Sequence, residues 1–179
     1  MTGQTLTLLR HAKSSWNNPS QQDHDRPLNT RGNNDARDMA LRLKNQGSVP
    51  DLILCSSATR TRETTAHLLA IFAEPSPQVQ YENDLYLASP QTLLASLAQV
   101  ADTYQHIMIV AHNPGIEDLS ALLSGVADDV MPTAAVRQFS CPSVASLHQA
   151  LESSGRGRSN PMLENVELVH SDYPKSARQ

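Results

Sequence analysis

Cysteine is scarce in this 179-residue chain, which carries only Cys55 and Cys141. Two cysteines cannot build a disulfide framework, and their separation matches no zinc-ligand spacing. Both sit in apolar, strand-like runs and read as reduced core thiols. An excess of one charge is also missing. With 14 basic and 18 acidic residues the net charge is −4, which creates no general attraction for nucleic acid or anionic membranes, so any anion site must be local. No apolar run approaches the ~20 residues needed to cross a bilayer. No charged-then-apolar leader precedes the first strand, so a cytoplasmic location is expected. A Walker-type glycine-rich loop is absent, which excludes the usual cradle for nucleotide phosphates. Neither the cysteines nor the histidines form a recognisable metal-ligand cluster, and no metal or cofactor is expected.

What remains is an alternation of strand and helix signals. Residues 5–9 read as a strand and 10–28 as a polar loop. Ala36, Met39, Ala40 and Leu43 repeat at helical spacing, with Gly47 as a stop signal. "DLILC" (51–55) is a short buried strand, followed by a helix from about Arg60 to Ala73, and a third strand falls near 78–82. Ser89 and Pro90 form an N-cap and first-turn proline for a helix through Leu93, Leu94, Leu97 and Val100. "HIMIVA" (106–111) is the clearest buried strand, and a helix follows Pro114-Gly115. Later come strand candidates "AAVRQFSC" and "MLENVELV", a short helix at 143–151 and a flexible loop "SSGRGRSNP" at 153–161. This order predicts one α/β domain over residues 1–170, with its sheet covered on both faces, and a loose tail over 171–179.

In such sheets, ligands gather beyond the carboxyl ends of the strands. Arg10-His11 follows the first strand, "SSATR" the second, and "HNPG" the strand at 106–111. Arg10, His11, Arg60 and His112 therefore converge on one sheet edge. Two guanidinium forks and two imidazoles suit a dianionic phosphoryl group, and the helix N-termini after residues 59 and 115 can add backbone donors. A neutral imidazole there can attack phosphorus and form a phosphohistidine that water later hydrolyses. A thiolate route fits less well, because "CSSATR" leaves four residues between Cys55 and Arg60 where cysteine phosphatases need five. Arg62 reads as decoration of a helix surface.

The segments "RHAKSSWN", "DRPLNTRG" (25–32), "SSATRTRET" and "VAHNPG" come in the order found in the histidine phosphatase superfamily. The chain resembles that family across most of residues 5–125, with Ala12 in place of a signature glycine. The resemblance implies a phosphoglycerate mutase-like three-layer α/β/α sandwich around a mostly parallel sheet. It implies that His11 is the phosphorylated nucleophile, that Arg10, Arg60 and His112 grip the phosphoryl group, and that Ser14 and Asn17 lie near the phosphate. The larger mutases of the family carry a glutamate proton donor where this chain has Leu87, with Glu82 and Asp84 nearby.

Small size and the missing acid resemble the SixA-type phosphohistidine phosphatases. The expected partner is accordingly a protein bearing phosphohistidine, dephosphorylated without metal. The alternatives are a phosphatase of small phosphate esters, with Glu82, Asp84 or His24 as the acid, and a non-catalytic phosphoprotein-binding module.

Overall fold

The computed structural model describes residues 3–74, 76–127, 130–153 and 165–174. Its strands are β1 (Gln4–Arg10), β2 (Leu52–Ser56), β3 (Gln78–Glu82), β4 (His106–Ala111), β5 (Val136–Cys141) and β6 (Glu167–Asp172). They form one sheet in the order β3-β2-β4-β1-β5-β6. The four strands from β3 to β1 run parallel, and β5 and β6 are added antiparallel at one side. The helices are α1 (Thr30–Asn45), α2 (Thr59–Phe72), α3 (Pro90–Val100), α4 (Gly115–Ser124) and α5 (Val144–Ser153). None of them, over the described residues, is long and apolar enough to cross a membrane.

Strand periodicity divides the core into two layers. Leu6, Leu8, Leu52, Leu54, Ile107 and Ile109 pack with Leu93 and Leu97 of α3, Ile116 and Leu119 of α4, and Leu147 of α5. The alternate residues Leu9, Ile53, Cys55, Met108 and Val110 pack with Met39 and Leu43 of α1 and Leu68 and Phe72 of α2. The central strands are thus apolar on both faces, as a doubly covered parallel sheet requires. The expected three-layer α/β/α sandwich with a mostly parallel sheet is the observed fold.

Two glycines allow the close approaches that shape the site loops. A Cβ on Gly32 would lie 2.1 Å from the carbonyl oxygen of Lys13, and one on Gly115 would lie 1.8 Å from that of Ala88. Only glycine lets α1 pack on the loop after β1, and α4 on the loop before α3. Capping follows the residue chemistry. Asn29 accepts from the Gly32 amide at 2.8 Å to start α1, and Ser89 caps α3 with Pro90 in its first turn. Gly47, at φ 69°, follows the end of α1.

The C-terminal part differs from its expectation. The sixth strand is Glu167–Asp172 rather than a run over 162–169, and residues 162–164 lie outside the described set. Its extent is set by antiparallel pairing with β5, which reaches Val136↔Asp172, and by Arg42 of α1, whose Nη1 donates to both Asp172 carboxylate oxygens. The expected boundary between domain and tail at residue 171 therefore falls inside a strand. Of the loop expected at 153–161, Ser153 closes α5 and the rest lies outside the described residues.

Candidate active site

β1 and β4 are neighbours in register, with Arg10 opposite Ala111, so His11 and His112 leave the sheet side by side. Their ring centroids are 5.0 Å apart. The end of β2 and the first turn of α2 bring Ser56 and Arg60 to the same place. The structure thus gathers Arg10, His11, Arg60 and His112 at one sheet edge.

His11 is buried, and its two nitrogens have different partners. Nδ1 lies 2.8 Å from the Ala12 carbonyl, an acceptor only, so Nδ1 carries the proton and Nε2 keeps its lone pair. Arg60 donates its Nε–H to that lone pair at 3.2 Å. Burial lowers the His11 pKa to about 4, and the nearby Arg60 and Arg10 charges push the same way. The imidazole is therefore neutral near pH 7, the form in which a ring nitrogen can attack. The Ala12 amide donates to Thr64 Oγ1, which in turn donates to the Arg60 carbonyl. That hydroxyl ties the loop of His11 to the helix carrying Arg60.

Among the described residues, the buried atoms Arg10 Nε and His112 Nδ1 have no hydrogen-bond partner. Such groups are costly unless something fills the gap, and both belong to residues that can present N–H donors to an anion. Arg10 is anchored elsewhere, through Nη1 to the Met131 carbonyl at 2.8 Å. Glu117 of α4 holds that segment by accepting from the Met131 amide and from Asn113. Burial, together with His11 and Arg60, pushes the His112 pKa far below its ordinary value, so this ring is neutral too.

The sequence reading missed Asp23, Tyr86, Ser56 and Glu117. Asp23 sits in a short turn at Asp23–Asp25. Its carboxylate accepts from Arg60 Nη2 at 2.9 Å, from Arg26 Nη1 at 2.9 Å and from the Tyr86 hydroxyl at 2.6 Å. The Tyr86 hydrogen bond, then the arginines, hold its pKa down to about 2. Tyr86 also sets its ring edge against His112 at 5.3 Å. Leu87 beside it is half exposed and has a left-handed φ of 49°. One signal was available: an acid three residues before Arg26 in "DHDRPLN", two residues ahead of the segment 25–32 already assigned to the site.

The remaining expected residues are placed as follows. Ser14 is buried and accepts from Arg26 Nη2, so it supports the Arg26–Asp23 pair. Asn17 is exposed, with its amide on Ser15 Oγ, and its side chain makes no hydrogen bond to the four converging residues. Arg26 is buried beneath the exposed Trp16, its guanidinium carbon 3.2 Å from the ring centroid. His24 bonds Asp25 and Ser57 and stands with its ring edge-on to Tyr86. Asp84 is exposed, while the Glu82 carbonyl takes the Ser57 amide. Cys55 is a buried thiol with its pKa raised to about 11 by desolvation, the opposite of a reactive thiolate. Among the described residues, no group of three or more His, Cys, Asp and Glu side chains could hold a metal ion.

Residues 6–85 match the family model for the histidine phosphatase superfamily (branch 1). An uncharacterized chloroplastic protein of Arabidopsis thaliana is 38% identical over 68% of this chain, which spans 60% of that relative's length. An uncharacterized protein of Mycobacterium leprae is 30% identical, with 93% of this chain and 100% of the relative covered. Among solved structures, the candidate phosphohistidine phosphatase SixA of Agrobacterium tumefaciens is similar at a TM-score of 0.78. Its identity is 26%, with 97% of this chain and 100% of that chain covered.

Proposed function

Since the chain belongs to the histidine phosphatase superfamily, branch 1, we propose that it is a metal-independent phosphatase that takes its phosphoryl group from phosphohistidine in a protein. The observation that carries this reading is the state of Asp23. It is the carboxylate in contact with Arg60, and Tyr86 and two arginines hold it ionised, so it has no proton to give a leaving group. An alkoxide leaving group needs such a proton. A phosphohistidine whose second ring nitrogen is protonated leaves as a neutral imidazole and needs none.

In the first step His11 Nε2 attacks phosphorus, the P–N bond of the substrate breaks, and its electron pair returns to the departing imidazole. Arg60 Nε–H, which rests on the His11 lone pair, is then free for a phosphoryl oxygen. Arg10 Nε and His112 Nδ1, which have no hydrogen-bond partner among the described residues, take others. In the second step water displaces His11 from phosphorus and releases inorganic phosphate. Such charge-matched donors are worth most where charge develops in the transition state. Arginine cations supply what a metal would otherwise supply, so chelator leaves the rate unchanged, and a loss restored by Mg²⁺ or Zn²⁺ would reject metal independence.

The deciding experiment compares kcat/KM for a phosphohistidine peptide with that for alkyl phosphates. The expected advantage is at least about tenfold, or ~1.4 kcal/mol of transition-state stabilisation, with aryl phosphates between. If a sugar phosphate wins, the ester reading replaces this one. His24, held beside Tyr86 by Ser57, is the side chain that would then serve as the acid.

A further inference from the structure

Ser56 ends β2 and is fully buried. Its Oγ lies 2.8 Å from His112 Nε2. Its own carbonyl is fixed by the Thr61 hydroxyl at 2.7 Å, so the residue is held at both ends. We infer that Ser56 is a positioning residue that sets the tautomer of His112. Its hydroxyl donates to Nε2, and Nδ1 is left protonated as a donor to the phosphoryl group.

A hydroxyl has one proton to place and an imidazole in its neutral form has one as well. Among the described residues, the Ser56 hydroxyl has His112 as its hydrogen-bond partner. If Nε2 carried the proton instead, the buried hydroxyl would have no acceptor for its own. The bare lone pair of Nδ1 would also face the phosphoryl anion. The arrangement Ser56 Oγ–H to Nε2, with Nδ1–H toward the anion, satisfies every group once phosphate is bound. The ring is held in place between Tyr86, edge-on at 5.3 Å, and His11 at 5.0 Å. His112 is kept neutral by burial and its cationic neighbour, so it has only one N–H and the choice of nitrogen matters.

This assignment rests on the phosphoryl-site reading, but its measurement does not require turnover. Long-range ¹H–¹⁵N correlation spectra of ¹⁵N-histidine-labelled protein, with His112 assigned by comparison with His112→Gln, report which nitrogen is protonated. The expected wild-type signal is Nδ1 protonated and Nε2 unprotonated, with the Nδ1 proton shifting downfield on titration with inorganic phosphate. Ser56→Ala is expected to bring up an Nε2–H population. It should lower kcat by about tenfold or more, short of the ~10⁴ that a locked wrong tautomer costs in a histidine-dependent hydrolase. Ser56→Thr keeps the hydroxyl and is expected to restore both the tautomer and most of the rate. A wild-type His112 protonated at Nε2 would overturn the inference even if Ser56→Ala failed to fold, and so would a Ser56→Ala protein still wholly Nδ1-protonated. Absence of turnover on every phosphorylated compound, with a normal Nδ1–H signal, would reject the phosphatase reading while keeping the tautomer assignment.

Discussion

β1 and β4 pair in parallel and each is followed directly by a histidine, yet the two histidines present opposite faces of the same ring chemistry. His11 turns Nδ1 onto its own chain at the Ala12 carbonyl and keeps Nε2 unprotonated, an acceptor for Arg60 Nε–H in the site. His112 turns Nε2 onto Ser56 and leaves Nδ1 facing the site. Both rings are buried and neutral, and on the proposed reading one attacks while the other donates. The difference comes from a carbonyl behind one ring and a hydroxyl behind the other. Residue identity alone does not divide the labour between two histidines; the groups bonded to the far nitrogens do.

The largest expected effect breaks the comparison at His11, the proposed nucleophile. His11→Ala should abolish phosphoenzyme formation altogether, whereas wild type should give an acid-labile, base-stable adduct, as a phosphoramidate does. A labelled adduct surviving in the variant would reassign the nucleophile. His112→Ala should still form the adduct, but with kcat lower by about 10²–10³, the loss seen when one oxyanion-type donor is removed. Equal and complete loss of the adduct in both variants would mean the roles are not divided as described. Arg60→Ala should cost on the same order in kcat, about 10²–10³.

The pH profile sharpens the contrast further. His11 loses its lone pair on protonation, so kcat/KM should fall as pH drops through about 4 and show no His11 limb near the ordinary value of 6.5. Removing the Arg60 charge takes away one of the causes that lower this pKa, so in Arg60→Ala the acid limb should move upward. A wild-type limb near 6.5 would show that burial does not control the nucleophile. The smallest effect is expected at Arg62, which is exposed and stacks on the Tyr81 ring at 4.5 Å. Arg62→Ala should leave kcat and KM within about twofold of wild type, as surface substitutions away from a site do. A loss matching that of Arg60→Ala would mean that the outward face of α2 also takes part.

Much of the fold was legible from local pattern. "HIMIVA" and "DLILC" read as buried strands because both of their faces are covered, and Ser89-Pro90 read as a helix start because capping is a local interaction. Arg10, His11, Arg60 and His112 were legible because each lies at or after the end of a strand whose direction the alternation implies. The edge strand β6 was misplaced because its side chains are largely exposed, so it has no strong apolar period. Pairing with β5 sets its register.

The residue types in the chain, read in order, decide that two arginines and two histidines meet at the carboxyl edge of a parallel sheet, because strand direction and helix return follow from local sequence. Tertiary structure alone decides what each of them can do. Asp23 reaches Arg60 from 37 positions away and Tyr86 reaches Asp23 from 63, contacts that no local period encodes. Ser56 reaches His112 across two paired strands. Proton placement depends on these long-range neighbours and on burial, since a neutral imidazole has one N–H and the fold chooses the nitrogen that carries it.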